Sequence, residues 1–301
     1  MRAFFVDNIM KKILVTGLHS YTGSSVREYL SSWPDDYHSE AITLRGCSWK
    51  SESFRGFDTV IHTAGIAHDN SESGGADAYY SVNSKLAFDT ALKAMKDGVK
   101  QFIFLSSSTV YGKSSPPGQV KIIKRDSPLN PCGYYADSKV RAENLLMTLE
   151  SENFKICILR CPMIYGRNSR GNYPILSKFA RFSPVFPNVH NTRSMLYVKN
   201  FSHFIKLMID NDERGIFWPQ NGEYSDIVKI VKLIAGYHKR DIFLLPLCNL
   251  PLKFLSRYSM FISKAFGSLA YDMDLSSYHE NYRLYTLSES IKESENFLIK
   301  K

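Results

Sequence analysis

Short apolar or β-branched runs alternate with longer stretches whose apolar residues recur at helical spacing through the first half of the chain. That alternation predicts a parallel sheet covered by helices. Strands are expected at Lys12 to Thr16, Ala41 to Leu44, Thr59 to His62, Phe102 to Leu105 and Lys155 to Leu159. One helix is expected over Asp77 to Met95, with Tyr80, Ala87, Ala91 and Leu92 on its apolar side. Another covers Tyr134 to Glu150, with Val140, Leu145, Leu146 and Leu149. After Arg160 the texture changes to CPMIYGRNSRGNYPILSKFARFSPVFPNVHNTRS, rich in Pro, Gly, Asn and Arg, which marks an insertion or a second domain. A helix from Phe201 to Ile209 and a short strand at Gly215 to Trp218 return to the sheet, and residues from Glu223 read as mainly helical. The expected fold is α/β, a doubly wound parallel sheet with a smaller, mainly helical C-terminal lobe. Residues 10–166 form the first domain, with 196–220 returning to it; residues 167–195 and 221–301 form the second.

Composition supports a packed chain. With 301 residues, 44% hydrophobic and 22% charged, the bulk of it can bury a core and is not disordered. The 38 Lys and Arg exceed the 29 Asp and Glu by 9, which points to phosphate-bearing partners. The positive charge is spread out, with only small groups such as Lys121, Lys124 and Arg125, so nucleic acid is not an expected partner. Five cysteines, at 47, 132, 157, 161 and 248, form no Cys-x-x-Cys pair and have no His at zinc spacing. Neither structural zinc nor a disulfide framework is expected. The odd count and the start MRAFFVDNIM, whose Asp7 and Asn8 break any leader-like core, favour a reducing, cytoplasmic setting. Met10, directly ahead of KKILVTG, is an alternative start. No apolar run reaches the roughly 18 residues of a membrane span, and IFLLPLCNLPLKFL from Ile242, broken by Pro246, Pro251 and Lys253, reads as a core or lid segment.

ILVTGLHSYTGSSV places Gly17, Ser20 and Gly23 at three-residue spacing between a strand and a helix start, with Tyr21 and Thr22 inside the turn. Glycines there let backbone approach a pyrophosphate, whose charge the helix N-terminus favours. The small Ser20 offers a hydroxyl to phosphate. A plain strand-turn-helix with two glycines explains the motif as well when it is taken alone. AITLRG ends in Arg45 where an acidic residue would hold an adenosine ribose; Arg45 suits a 2′-phosphate, so NADP is mildly favoured over NAD. A solvated loop arginine is the equal alternative. DTVIHTAGIAH follows with a Thr63, Ala64, Gly65 turn that lets backbone lie near the adenosine half. His62 at the strand end reads as a packed residue; with no second ligand nearby, a metal is rejected. Asn83, a poor helix former within a helix, reads as a buried tie between neighbouring strands.

The chemistry concentrates in FIFLSSSTVYG and NPCGYYADSKVRAE. Tyr135 and Lys139, four apart, share a helix face, and Ser107 ends the fourth strand. Lowering a phenol from a pKa of about 10 to near 7 takes roughly 4 kcal/mol. An ammonium about 5 Å away at an effective dielectric of about 20 supplies roughly 3 kcal/mol, and an oxidised nicotinamide supplies the remainder. Tyr135 then accepts or donates a proton, Lys139 lowers its pKa and holds the nicotinamide ribose, and Ser107 bonds the reacting oxygen. An isolated Tyr-x-x-x-Lys is common; one preceded by a Gly loop and a Ser-rich strand end in this order is not.

In chain order, VTGLHSYTG, VIHTAG, the segment around Asn83, FLSSSTVYG, YADSK, LRCPMIYG and RSMLYV resemble the extended short-chain dehydrogenase/reductase family, above all its nucleotide-sugar epimerases, dehydratases and ketoreductases. The resemblance covers nearly the whole chain. It implies a Rossmann-type domain with a smaller lobe that grips a nucleoside diphosphate sugar. It implies Ser107, Tyr135 and Lys139 as catalytic residues, Tyr134 lacking a Lys four positions on. It places Gly17, Gly23, His62, Ala64 and Asn83 in or beside the cofactor site. GRNSRGNYPILSKF and RSMLYV look like the substrate-lobe pattern of bacterial surface-polysaccharide members acting at C4 of UDP-hexoses. Arg193 matches the position that contacts the diphosphate, a task suited to a guanidinium fork. Asn172, Arg167 and Lys178 are weaker substrate candidates, with Ser108 and Thr109 beside Ser107. Two departures stand out from galactose-type UDP-glucose 4-epimerases, which usually carry an Asn within the stretch here reading Arg160, Cys161, Pro162, Met163 and an acid in place of Arg45. The implied function is an NAD(P)-dependent 4-epimerase of a UDP-hexose in polysaccharide biosynthesis. Alternatives are an NADPH-dependent 4-ketoreductase of a UDP-4-keto-6-deoxy sugar, slightly favoured by Arg45, and a non-catalytic dinucleotide-sensing regulator. Dehydratases usually add an acidic pair where Ser108 and Thr109 stand. A homodimer through a helix pair is the usual assembly of such proteins.

Overall fold

The computed structural model describes residues 10–66, 75–248, 254 and 265–296. The start of the chain and the part of the Ile242 run from residue 249 therefore fall largely outside the described residues. β1 (Lys11–Thr16) turns into α1 (Tyr21–Leu30), followed by β2 (Tyr37–Ile42) and β3 (Thr59–His62). α2 (Gly75–Tyr79) passes through a π turn, Tyr80–Lys85, into α3 (Leu86–Lys96), and β4 (Gln101–Ser107) and the short β5 (Ile122–Ile123) come next. α4 (Tyr134–Met147) precedes β6 (Lys155–Cys161), β7 (Met163–Tyr165), α5 (Asn172–Phe182), β8 (Val185–Pro187) and β9 (Met195–Tyr197). α6 (Val198–Asp210), β10 (Gly215–Phe217), α7 (Ile227–Tyr237), β11 (Phe243–Leu245), β12 (Ala270–Tyr271) and a helix Leu287–Glu295 complete the described chain.

The main sheet runs β10-β6-β4-β3-β1-β2, with β2, β1, β3 and β4 paired in parallel. β1 has β2 on one side and β3 on the other, so the strand order reverses there. Ligands in such sheets bind beyond the carboxyl ends of the strands at this reversal, which is where Gly17 and Thr63 lie. The core joins Leu14, Val60, Phe102 and Ile156 of the strands to Ala87, Ala91, Ala94 and Ala142 of the helices. The alanines present little bulk to the sheet.

Three local expectations need correction. β2 spans Tyr37–Ile42, not Ala41 to Leu44. It is the edge strand, its positions only partly covered, so YHSEAI shows no apolar run. The expected helix from Asp77 is interrupted by the π turn that carries the buried Asn83 and Ser84. In α4 the expected stripe of Val140, Leu145, Leu146 and Leu149 holds in part: Leu146 is buried and Leu149 packs against the core, but Leu145 is 39% exposed, and Ala136, Ser138, Lys139, Ala142 and Glu143 make up the rest of the buried face.

The chain divides into two compact units. The first takes residues up to Ser106 with Ser138–Leu159 and Ile205–Ile216; the second takes Ser107–Asp137, Arg160–Phe204 and the chain from Phe217. These limits differ from a boundary at 166/167 because segments well before it pair with later ones. β5 pairs with β12, β7 with β9, and Ser115 bridges Ser268. Among the described residues no helix is long and apolar enough to cross a membrane.

Candidate active site

Gly17 closes β1 at φ +96°, and a Cβ there would stand 3.0 Å from Thr63 Oγ1 and 3.1 Å from the Ala64 nitrogen. At Gly23 a Cβ would lie 2.7 Å from Thr63 Oγ1 and 2.9 Å from Val15 Cγ1, so only glycine lets α1 sit this close to β1 and the turn after β3. Ser20 is the N-cap of α1: its Oγ accepts from the Gly23 nitrogen at 3.3 Å and lies 3.0 Å from Thr22 Oγ1. The hydroxyl expected to serve a phosphate thus helps hold the turn itself. Tyr21 is half-buried, its phenol pushed up by burial and by the Glu28 charge. The result is a cradle of bare backbone at the N-terminus of a 10-residue helix, which fits a dinucleotide pyrophosphate. Arg45 is exposed on the loop three residues beyond β2.

Beside this cradle, Gly65, Asn83 and Lys139 come together. A Cβ on Gly65 would be 3.0 Å from Asn83 Oδ1 and 3.7 Å from Lys139 Nζ. Asn83 is fully buried. Its Oδ1 accepts from the Ile66 nitrogen at 2.9 Å, and its Nδ2 donates to the Ile66 carbonyl and to Ser138 Oγ. It therefore ties the loop after β3 to α4, where a tie between neighbouring strands was expected. Lys139, 6% exposed, donates to the Leu105 carbonyl at 2.8 Å and lies 4.6 Å over the Phe104 ring. One turn further on, the buried Glu143 accepts from Ser106 Oγ. Lysine and carboxylate are thus fastened to consecutive residues of β4.

His62 is packed, as its position at a strand end implied. Its Nδ1 meets Thr16 Oγ1 at 3.0 Å, and its ring stacks against Phe102 and Phe104. Burial first, and the Lys139 charge second, lower its pKa to about 3. The folded protein keeps this ring neutral while the unfolded chain protonates it near pH 6.5. The associated stability is complete above about pH 6.5 and is lost on acidification toward about 3, at about 1.4 kcal/mol per pH unit. Urea titrations from pH 7 to about 4.5 should show a shallower acid loss in His62→Gln than in the parent; equal slopes would contradict this.

Tyr135 is half-buried one turn before Lys139, whereas Tyr134 is 54% exposed. Ser107, 9% exposed, caps the short turn Ser108–Tyr111. Its Oγ accepts from the Thr109 nitrogen at 3.2 Å and from Thr109 Oγ1 at 2.9 Å; Ser108 is half-buried. Tyr111 OH accepts from Arg160 Nη1 and Trp218 Nε1, both at 2.7 Å. Arg160 is thereby a buried brace of the second unit.

In that second unit a cavity of about 230 Å³ has Asn172, Arg193 and Ser225 in its wall, the remaining lining being almost wholly apolar. Arg193 and Ser225 form an antiparallel bridge, N to O at 3.0 and 2.9 Å, and burial pushes the Arg193 guanidinium down to about 10. Of the sequence-level substrate candidates, Arg193 and Asn172 meet at this wall; Arg167 and Lys178 are exposed and outside it. Ser106, Tyr111, Glu143 and Ser225 were not singled out from the sequence. Only Glu143 carried a signal, four residues after Lys139 in YYADSKVRAE.

Over 172 residues the chain is 32% identical to the N-acetyl-α-D-glucosaminyl-diphospho-ditrans,octacis-undecaprenol 4-epimerase of Escherichia coli O157:H7, covering 54% of this chain and 49% of that protein. Over 184 residues it is 27% identical to the UDP-glucose 4-epimerase of Vibrio cholerae, covering 58% and 56%. The aligned part is thus about half the length of these curated relatives. The crystal structure of a UDP-glucuronic acid 4-epimerase from Bacillus cereus in complex with NAD has the same fold, with a TM-score of 0.72 and 16% identity, covering 96% of this chain and 98% of that one. The family model described as NAD dependent epimerase/dehydratase matches residues 13–217. With more than half its length so matched, the chain belongs to the NAD-dependent epimerase/dehydratase family.

Proposed function

We propose that this chain is an NAD(P)-dependent 4-epimerase of a diphosphate-activated hexose, a UDP-hexose on the sequence reading. The observation that carries the proposal is the fastening of Lys139 to the Leu105 carbonyl, one helical turn after Tyr135 and two residues before the end of β4 at Ser107. Backbone at Gly17, Gly23 and Thr63–Gly65 would hold the dinucleotide, with Asn83 keeping the loop after β3 in place. When bound, the nicotinamide supplies the hydride acceptor and donor for C4. Tyr135 takes the C4 hydroxyl proton and later returns one. Lys139 stabilises the phenolate by its charge, and Ser107, oriented by Thr109, donates to the sugar oxygen. Arg193 grips the diphosphate. The relatives carry the hexose either on a nucleotide or on a diphospho-polyprenol, and the diphosphate is common to both.

Incubation with NAD and a diphosphate-linked hexose should produce the C4 epimer with no net change in nicotinamide absorbance. Stoichiometric oxidation of NADPH by a 4-keto substrate, without epimer formation, would instead establish the reductase reading that Arg45 favours.

A further inference from the structure

One buried carboxylate fastens two helices that wall the cavity of the second unit. Glu295, 1% exposed at the end of the helix Leu287–Glu295, accepts from Tyr173 OH at 2.8 Å through Oε1 and from Ser177 Oγ at 2.9 Å through Oε2, and the same Oε2 meets His238 Nε2 at 2.9 Å. Tyr173 and Ser177 belong to α5, whose Asn172, Ile175, Leu176 and Phe179 line the cavity. His238 is the C-cap of α7, whose Ile227 and Ile230 line it too. None of the four bonded residues is itself among the described residues of the wall.

A carboxylate is a costly occupant of this position. It sets negative charge at the C-terminal end of its own helix, against the macrodipole, and takes that charge out of water. Three donors converge here, however, and a carboxylate offers two acceptor oxygens where an amide offers one. Burial and the Glu295 charge push the Tyr173 phenol upward, so it stays a donor.

Helix α5 needs such an anchor at its start. Its N-cap is Gly171, at φ +92°, with no side chain to accept from the first turn, and that turn holds no acidic residue. Helix starts without a cap leave their first N–H groups unsatisfied and lose stability. Asn172, the polar residue that α5 contributes to the cavity, opens this turn, and Tyr173 follows it directly. The anchoring side is firmer. The helix that carries Glu295 begins in a capping box between Thr286 and Glu289, and its Ser290 hydroxyl lies 2.6 Å from Tyr165 OH of β7.

We infer that Glu295 is a positioning residue of the ligand cavity: it fixes the first turn of α5 and so presents the Asn172 amide in the wall that also holds Arg193. This rests on the reading of that cavity as the place of the diphosphate-linked hexose.

The test compares Glu295→Gln with the parent, with Tyr173→Phe as the milder variant should the first fold poorly. Thr286→Ala is the control, since it loosens the same helix without touching α5. Calorimetry measures binding of UDP-glucose and of NAD, and mass spectrometry follows amide hydrogen exchange at residues 176–179, whose N–H groups bond to the carbonyls of the first turn. Glu295→Gln should weaken UDP-glucose binding about tenfold, leave NAD within about twofold and speed exchange at 176–179 about tenfold. Tyr173→Phe should move the same two quantities about threefold. Unchanged exchange at 176–179 overturns the inference, as does unchanged UDP-glucose affinity in a variant whose exchange has risen. An equal loss in Thr286→Ala, or a parallel loss of NAD binding, overturns it as well, because the carboxylate would then serve only overall stability. A parent that binds no UDP-glucose counts against the reading of the cavity as a uridine-linked hexose site, and the exchange result alone then decides the inference.

Discussion

Replacing Tyr135 by Phe is expected to reduce turnover at C4 by about 100-fold or more, the scale of a lost proton transfer, while affinity for the dinucleotide changes only a few-fold. The phenylalanine fills nearly the same volume in a half-buried position, so the loss falls on chemistry and not on folding. Steady-state kinetics beside a direct dinucleotide titration measures both quantities. Turnover within about threefold of the parent would remove Tyr135 from the reaction. The exposed Tyr134, replaced in the same way, serves as the control.

Glu143→Ala should produce the largest stability change at the site, about 3 kcal/mol by urea denaturation, because it strips a buried partner from Ser106 and negative charge from the face that holds the Lys139 ammonium. Glu143→Gln keeps the shape and an acceptor for Ser106, so most of the stability returns. The charge does not. With its carboxylate gone, the buried lysine loses its proton more readily, and activity should fall off at lower pH than in the parent. A Gln variant with an unchanged pH profile would show that the charge of Glu143 plays no part and that its role is to accept from Ser106.

The central strands could be read from the chain because β1, β3, β4 and β6 are buried runs of apolar residues. The edge strand could not, since its exposed positions carry His38 and Glu40. The misreading of α4 has the same origin as the site. Its inward face holds Ser138, Lys139 and Glu143, polar residues buried by long-range bonds that no local pattern reports, so the exposed Leu145 looked like part of the stripe. The glycine spacing and Tyr135 with Lys139 were visible because their geometry is set within one turn of chain. The partners of Asn83 were not, being 17 and 55 residues away.

The claim under all of this is that the Lys139 ammonium acidifies the Tyr135 phenol. A near-ultraviolet pH titration of the NAD-bound protein, taken as the difference between parent and Tyr135→Phe, isolates that phenol. The account predicts ionisation near pH 7, about three units below an ordinary tyrosine, and a return toward about 10 in Lys139→Met. A phenol that ionises near 10 in both proteins would contradict it.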